Sequence, residues 1–226
     1  MIAVATFRPH RDSEEYGQNQ TRALNSWEPI FSEIILMGEH EPDLAMRNVV
    51  FTNQTGRPRI KDMVSWLSVQ DQIGVWLNAD IFLDRSFVLL EALMKKAGCL
   101  AATSFRYTFD PHCHEISIKE SAVRERNDWG LDVFACMPSV WRDMHSCIDP
   151  RWIKCGQVYD SWMVGFLNKR YKCGDFTDRK WVFHPRHGGR VTDGFNSPQW
   201  AVGEFSPWSG PPRYWLKDMG LIPKKW

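Results

Sequence analysis

The rhythm of the N-terminal half constrains this chain more than any single motif. Short apolar runs alternate with stretches whose apolar residues recur at helical spacing. Ile2–Ala3–Val4–Ala5–Thr6–Phe7 reads as a buried strand ending at Arg8–Pro9. Ala23, Leu24, Trp27 and Phe31 follow with helical periodicity. Glu33 to Gly38 and Asn48 to Thr52 read as two more strands. Met63, Val64, Trp66, Leu67 and Gln70 predict a helix that stops at Gly74. VWLNADIFLD, residues 75–84, comes next, then a helix from Phe87 to Ala97 closed by Gly98, then a strand from Cys99 to Phe105. Strand and helix in regular alternation imply an α/β fold with a mostly parallel sheet and helices on both faces.

The second half is less regular. Glu115 to Ile118 reads as a short strand in a loop-rich excursion, and Leu131 to Cys136 as a firmer one. Tyr159 to Arg170 is a helix with Trp162, Met163, Phe166 and Leu167 on one face, and Trp181 to Phe183 a last short strand. The tail from Gly188 is rich in Gly, Pro and Trp and shows little period. A length of 226 residues suits one domain, divided at the change of rhythm into halves 1–105 and 106–226.

Composition excludes several classes. With 43% hydrophobic residues, the chain has enough apolar side chains for a sizeable core. A formal net charge of +1 supplies no bulk attraction to nucleic acid or acidic membrane. The chain shows neither a signal-peptide pattern nor an apolar stretch long enough to span a membrane. Six cysteines lie scattered with no CxxC, as reduced thiols of a cytoplasmic protein would. Twelve tryptophans supply core packing and flat apolar platforms suited to sugar rings or bases.

Against that background VWLNADIFLD is anomalous. A buried parallel strand is a nearly continuous apolar run, and an unpaired carboxylate inside it is costly. Asp80 therefore belongs where the strand emerges at its C-terminal end, where open α/β sheets bind ligands. Thr6, Phe7 and Arg8 occupy the same kind of position after the first strand. Asp80 is a hard oxygen ligand suited to Mg²⁺ or Mn²⁺. His184 and His187, in His184-Pro185-Arg186-His187-Gly188-Gly189, sit in a loop from which both can face one cleft, and His is a common metal ligand. Asp160 at the start of its helix serves as an N-cap or as a general base. Asp132 is a second carboxylate at a strand start. His112 and His114 suggest a metal pair, with no third ligand evident beside them.

The order of these elements resembles the GT-A fold of nucleotide-sugar glycosyltransferases. More narrowly, it is similar to a bacterial and viral group with an NADI strand, a Gly-hydrophobic-Asp-aromatic-Phe segment, an Asp at a helix start and a late HxxH. Here these read Asn78-Ala79-Asp80-Ile81, Gly130-Leu131-Asp132-Val133-Phe134, Tyr159-Asp160-Ser161-Trp162 and His184-Pro185-Arg186-His187. The usual DxD is NxD here, so one carboxylate is replaced by the amide of Asn78.

The resemblance implies transfer of a sugar from a nucleoside-diphosphate sugar, expected to be a UDP-sugar, to an acceptor hydroxyl. It implies a Mn²⁺ or Mg²⁺ held by Asp80 with His184 or His187. It places Thr6, Phe7, Arg8, Asn78, Trp129, Gly130 and Trp162 against the substrates. Asp160 matches the catalytic base of inverting members, with Asp132 as its catalytic companion. The acceptor is a glycan, a lipid-linked acceptor or a modified base in DNA, the last if the protein is viral and works in a host cytoplasm. For the DNA case, Arg213, Lys217, Lys224 and Lys225 with Trp215 and Trp226 would meet backbone and bases. Two rival readings are a metal-dependent phosphoesterase and a nucleotide-sugar-binding protein without turnover. The first calls for a denser carboxylate cluster, and the second draws on the missing carboxylate of NxD.

Overall fold

The computed structural model describes residues 1–7, 14–56, 58–112, 118–124, 131–148 and 159–186, with the backbone alone for 14–16 and 159–161. Ten strands lie among these residues: β1 Ile2–Thr6, β2 Glu33–Gly38, β3 Val49–Asn53, β4 Gly74–Leu77, β5 Phe82–Leu83, β6 Ala101–Phe105, β7 Tyr107–Phe109, β8 Leu131–Cys136, β9 Cys173–Asp175 and β10 Val182–Pro185. The helices are α1 Glu14–Trp27, α2 Ile60–Ser68, α3 Leu90–Ala97, α4 Ile118–Ser121, α5 Pro138–Cys147 and α6 Tyr159–Arg170.

Seven of these strands form one mixed sheet in the order β3-β2-β1-β4-β8-β6-β9. β1, β2, β3 and β4 run parallel, and β6 runs parallel to β9. Of the seven, β8 is the reversed strand, antiparallel to β4 and to β6. Its N-terminal end therefore lies at the same sheet edge as the carboxyl ends of β4 and β6. A smaller sheet, β5-β10-β7, stands beside the first.

The period of two explains how a central strand is buried on both sides. Ile2 and Val4 of β1 pack with Met63, Leu67, Trp141 and Phe166, under α2, α5 and α6. Ala3 and Ala5 face the other way, toward Leu24, Trp27, Leu90 and Met94 of α1 and α3. A third cluster, Phe82, Tyr107, Phe109, Ile118 and Phe183, lies on one face of the small sheet.

Several elements differ from the sequence expectation. β4 stops at Leu77, and a turn closed by Ile81 N–H donating to Asn78 O at 3.1 Å leads into β5. VWLNADIFLD is thus two strands in two sheets. Gly74 opens β4, while α2 is capped by Val69 in a right-handed conformation. A 3-10 turn, Arg85–Leu89, precedes α3, whose C-terminus is closed by Gly98 at φ 63° as expected. Ile118 begins a helix instead of ending a strand; Glu115 to Ser117 lie outside the described residues. Helix α5 is an addition. Its Val140, Trp141 and Met144 are fully buried, and Pro138 suits a first turn.

Candidate functional site

The residues that carry the chemistry gather at the carboxyl edge of the large sheet, beside the small one. β1 delivers Thr6 and Phe7 to this edge. Phe7 is 2% exposed, and its N–H donates to Met37 O at 2.9 Å. β4 delivers Asn78 and, through the turn, Asp80. Asp80 is 4% exposed, and its Oδ2 lies 3.3 Å from His184 Nε2.

His184 arrives by a route the sequence did not announce. It is a strand residue of β10, not a loop residue, and it pairs in register with Thr108 of β7. Alternation along β10 puts Phe183 into the aromatic cluster and His184 on the opposite face. His187 lies outside the described residues. Ligands around a small divalent ion at about 2.1 Å in octahedral geometry leave adjacent donors roughly 3 Å apart. The Asp80–His184 separation fits two such neighbouring donors, one oxygen and one imidazole nitrogen. Among the described residues no group of three or more His, Cys, Asp or Glu side chains is gathered around a common centre.

Beside this pair lies a second constellation. The antiparallel register matches Leu77 with Val133, so Asn78 and Asp132 come next to one another at the edge. On the other side Ser104 pairs with Val133 and Phe105 with Leu131. Asp132 is skipped in that register, the mark of a β-bulge, which re-aims a side chain. Asn78 Nδ2 donates to Asp132 Oδ1 at 2.6 Å, and Arg106 NH1 donates to Asp132 Oδ2 at 2.8 Å. Asp132 is 6% exposed, so the guanidinium supplies the charge a buried carboxylate needs.

Sequence reasoning missed Arg106, although the signal was present. It follows the apolar run Cys99 to Phe105 just as Asp80 follows Val75 to Leu77. Asp160 occupies the first turn of α6, and its side chain lies outside the described set. Arg8, Trp129 and Gly130 also fall outside the described residues. Trp162 is 3% exposed and stacks on Phe166 with ring centroids 5.3 Å apart, inside the core under α6. His112 sits in a turn, its N–H donating to Asp110 Oδ1 at 2.9 Å, and His114 is outside the described residues. A cleft of about 390 Å³ lined by Arg22, Ser26, Phe82, Asp84, Lys119 and Phe183 opens on the aromatic face of the small sheet, away from His184.

No family model and no curated protein sequence matches the chain. Solved structures do. The S. aureus TarS 1–349 structure with UDP-GlcNAc superimposes with a TM-score of 0.55 at 11% identity, over 84% of this chain and 59% of that one. The mannosyltransferase PcManGT from Pyrobaculum calidifontis, in complex with GDP-Man and Mn²⁺, superimposes with a TM-score of 0.51 at 9% identity, over 84% and 58%. The fold is GT-A. At these identities the likeness is one of fold, and the chain spans about three-fifths of the TarS 1–349 chain, 59%. No helix among the described residues is long and apolar enough to cross a membrane.

Proposed function

We propose that this protein is a glycosyltransferase that moves a sugar from a nucleoside-diphosphate sugar to an acceptor hydroxyl. One observation carries the reading: Asp80 and His184 meet at 3.3 Å where β4 leaves the sheet. They do so at the edge where open α/β sheets bind ligands, in a fold shared with TarS in complex with UDP-GlcNAc and with a mannosyltransferase in complex with GDP-Man and Mn²⁺.

In this reading Asp80 and His184, joined by His187, hold a Mn²⁺ or Mg²⁺. When bound, the ion neutralises charge building on the diphosphate leaving group. Thr6, Phe7 and Arg8 line the nucleotide pocket at the end of β1. Arg8 offers a planar fork of donors to phosphate. Asn78, Trp129 and Gly130 belong to the substrate-binding half of the resemblance, whereas Trp162, buried in the core against Phe166, anchors the helix that carries Asp160. Asp160 takes the acceptor proton as the hydroxyl attacks, a role worth about 10²–10⁴-fold in rate. Asp132 supports the same centre. The acceptor is a glycan or a hydroxymethylated base in DNA.

The reading is tested by thermal shift with a panel of nucleotide sugars, with Mn²⁺ and with chelator, followed by transfer assays on glycan and modified-DNA acceptors. Stabilisation by one donor class, greater with Mn²⁺, is expected, because a ligand that binds only the native state raises its apparent stability. A protein that no nucleotide sugar stabilises under either condition would not be a glycosyltransferase.

A further inference from the structure

Asn78 stands two residues before Asp80, at the position where a DxD sequence has its first carboxylate. An amide carries a donor at one end and an acceptor at the other, so its neighbour decides which end is left for a ligand. That neighbour is Asp132. Its Oδ2 accepts from the Arg106 guanidinium at 2.8 Å, so toward Asn78 it serves as an acceptor. The Nδ2 end of Asn78 must therefore turn toward Asp132 Oδ1, 2.6 Å away. Oδ1 of Asn78 points the other way. It accepts no hydrogen bond from the described residues, and Asn78 is only half-buried. Asp132 in turn is held on both oxygens, by Asn78 and by Arg106 at 2.8 Å. The bulge at Asp132 aims it at both partners.

A carboxylate at position 78 would set two acceptor-only groups at hydrogen-bond distance, an arrangement in which both cannot remain ionised. The amide at 78 and the carboxylate at 132 are therefore a matched donor and acceptor.

We propose that Asp132 and Arg106 are positioning residues. They lock the Asn78 amide with its carbonyl oxygen free of Asp132 at the carboxyl edge of the sheet, where it accepts a hydrogen bond from a hydroxyl of the nucleotide-sugar donor. The proposal rests on the glycosyltransferase reading, and it gives Asp132 a task other than proton transfer. Arg106 fixes the far oxygen of Asp132, Asp132 fixes the amide, and the amide presents one neutral acceptor beside Asp80.

The test is a swap. Asn78→Asp, Asp132→Asn and the double variant Asn78→Asp/Asp132→Asn are compared with the wild type by calorimetric titration of UDP, GDP, UDP-GlcNAc and GDP-mannose. Thermal melts of the same proteins run alongside. In Asn78→Asp the two carboxyl groups must share a proton or repel, so melting temperature and donor affinity both fall. In Asp132→Asn the amide at 78 is free to reverse. Each single change is expected to weaken binding roughly tenfold or more, the scale of a hydrogen bond lost from a donor contact. In the double variant the amide introduced at position 132 donates to the carboxylate introduced at position 78. That amide still accepts from Arg106, and an oxygen at position 78 is again left for the donor. Affinity and melting temperature are then expected to return to within about threefold and a few degrees of wild type. The swap preserves every bond of the trio, so its affinity decides the matter even where a single variant fails to fold.

Losses that simply add in the double variant, or an Asp132→Asn protein that binds like wild type, overturn the proposal and leave the glycosyltransferase reading intact. A wild-type protein that binds none of the four nucleotides overturns both. UDP and GDP report a ribose hydroxyl, and an effect confined to UDP-GlcNAc or GDP-mannose assigns the bond to the sugar.

Discussion

Asp80 and His184 are both nearly buried, and neither side chain belongs in an apolar core without a partner. Their contact at 3.3 Å satisfies that need within the fold, and the same spacing suits two ligands of one ion. Asp80→Ala separates the roles. It should abolish transfer and the Mn²⁺-dependent part of nucleotide binding, while far-UV circular dichroism stays that of the wild type. Full transfer by the variant, or wild-type activity unchanged by chelator, removes the metal from the mechanism. Asp160 is decided by an isosteric change. Asn caps a helix about as well as Asp, so Asp160→Asn should hold melting temperature and donor affinity while kcat falls roughly 10²-fold or more. A near-normal kcat would return Asp160 to a structural role.

At the scale of elements, two glycines separate stability from function. Gly74 begins β4, at the end remote from the site. A Cβ there would meet Leu67 Cδ2 and Trp141 Nε1, both at 2.7 Å, where the indole already donates to Gly74 O at 3.0 Å. Gly74→Ala should cost about 1–3 kcal/mol in denaturant unfolding, as overpacking does, with donor affinity unchanged. Gly38 closes β2 at the site edge, and a Cβ there would overlap the backbone carbonyl of Phe7. Gly38→Ala should therefore displace the end of β1 and lower both stability and nucleotide affinity. Equal effects of the two variants on affinity would take the β1 end out of the nucleotide pocket.

The docking of α6 on α5 gives a pH signature of its own. Tyr171 donates to Asp143 Oδ2 at 2.5 Å, and Arg170 lies 3.2 Å from the same oxygen. Burial first, then the bond to Asp143 and its charge, push the Tyr171 phenol from 10.0 up to about 12. A raised folded pKa means the folded state keeps its proton longer than the unfolded chain. The associated stability is complete below about pH 10 and is lost as pH rises toward about 12. Tyr171→Phe should flatten the alkaline decline of the urea midpoint across that window. An unchanged slope would assign the decline to other groups.

For the whole molecule, donor binding has a size that can be anticipated. At a ligand concentration about 100 times Kd the native state gains about 2.7 kcal/mol. For a chain of this length each kcal/mol moves the melting temperature by about 2–4 °C. A true donor should therefore raise it by roughly 5–10 °C, well above the scatter of a thermal-shift screen. The cleft beside Arg22 and Lys119 lies on the aromatic face of the small sheet. Binding at the proposed site should accordingly be insensitive to Arg22→Ala, measured in the same screen.

Much of the architecture was legible because its signals are local. A run such as Ile2 to Ala5 can be read without knowing its neighbours, and so can the helical spacing of Met63, Val64 and Leu67. Asp80 stood out for the same reason, as a charge that interrupts an apolar run. Helix α5 carries a local signal too, in Pro138, Val140, Trp141 and Met144, but one set amid the irregular second half. Other features existed only after folding. Strands β5, β7 and β9 have two or three residues each and are strands because a partner pairs with them. The reversal of β8 brings Asp132 to the edge that holds Asn78, 54 residues earlier in the chain, and Arg106, 26 residues earlier. His184 meets Asp80 because β10 pairs with β5 and β7 in a second sheet. The sequence by itself determined the layers and one carboxylate at a strand end, since periodicity and burial act over neighbouring residues. Which side chains face that carboxylate was decided by strand pairing between distant segments, whose register no local pattern specifies.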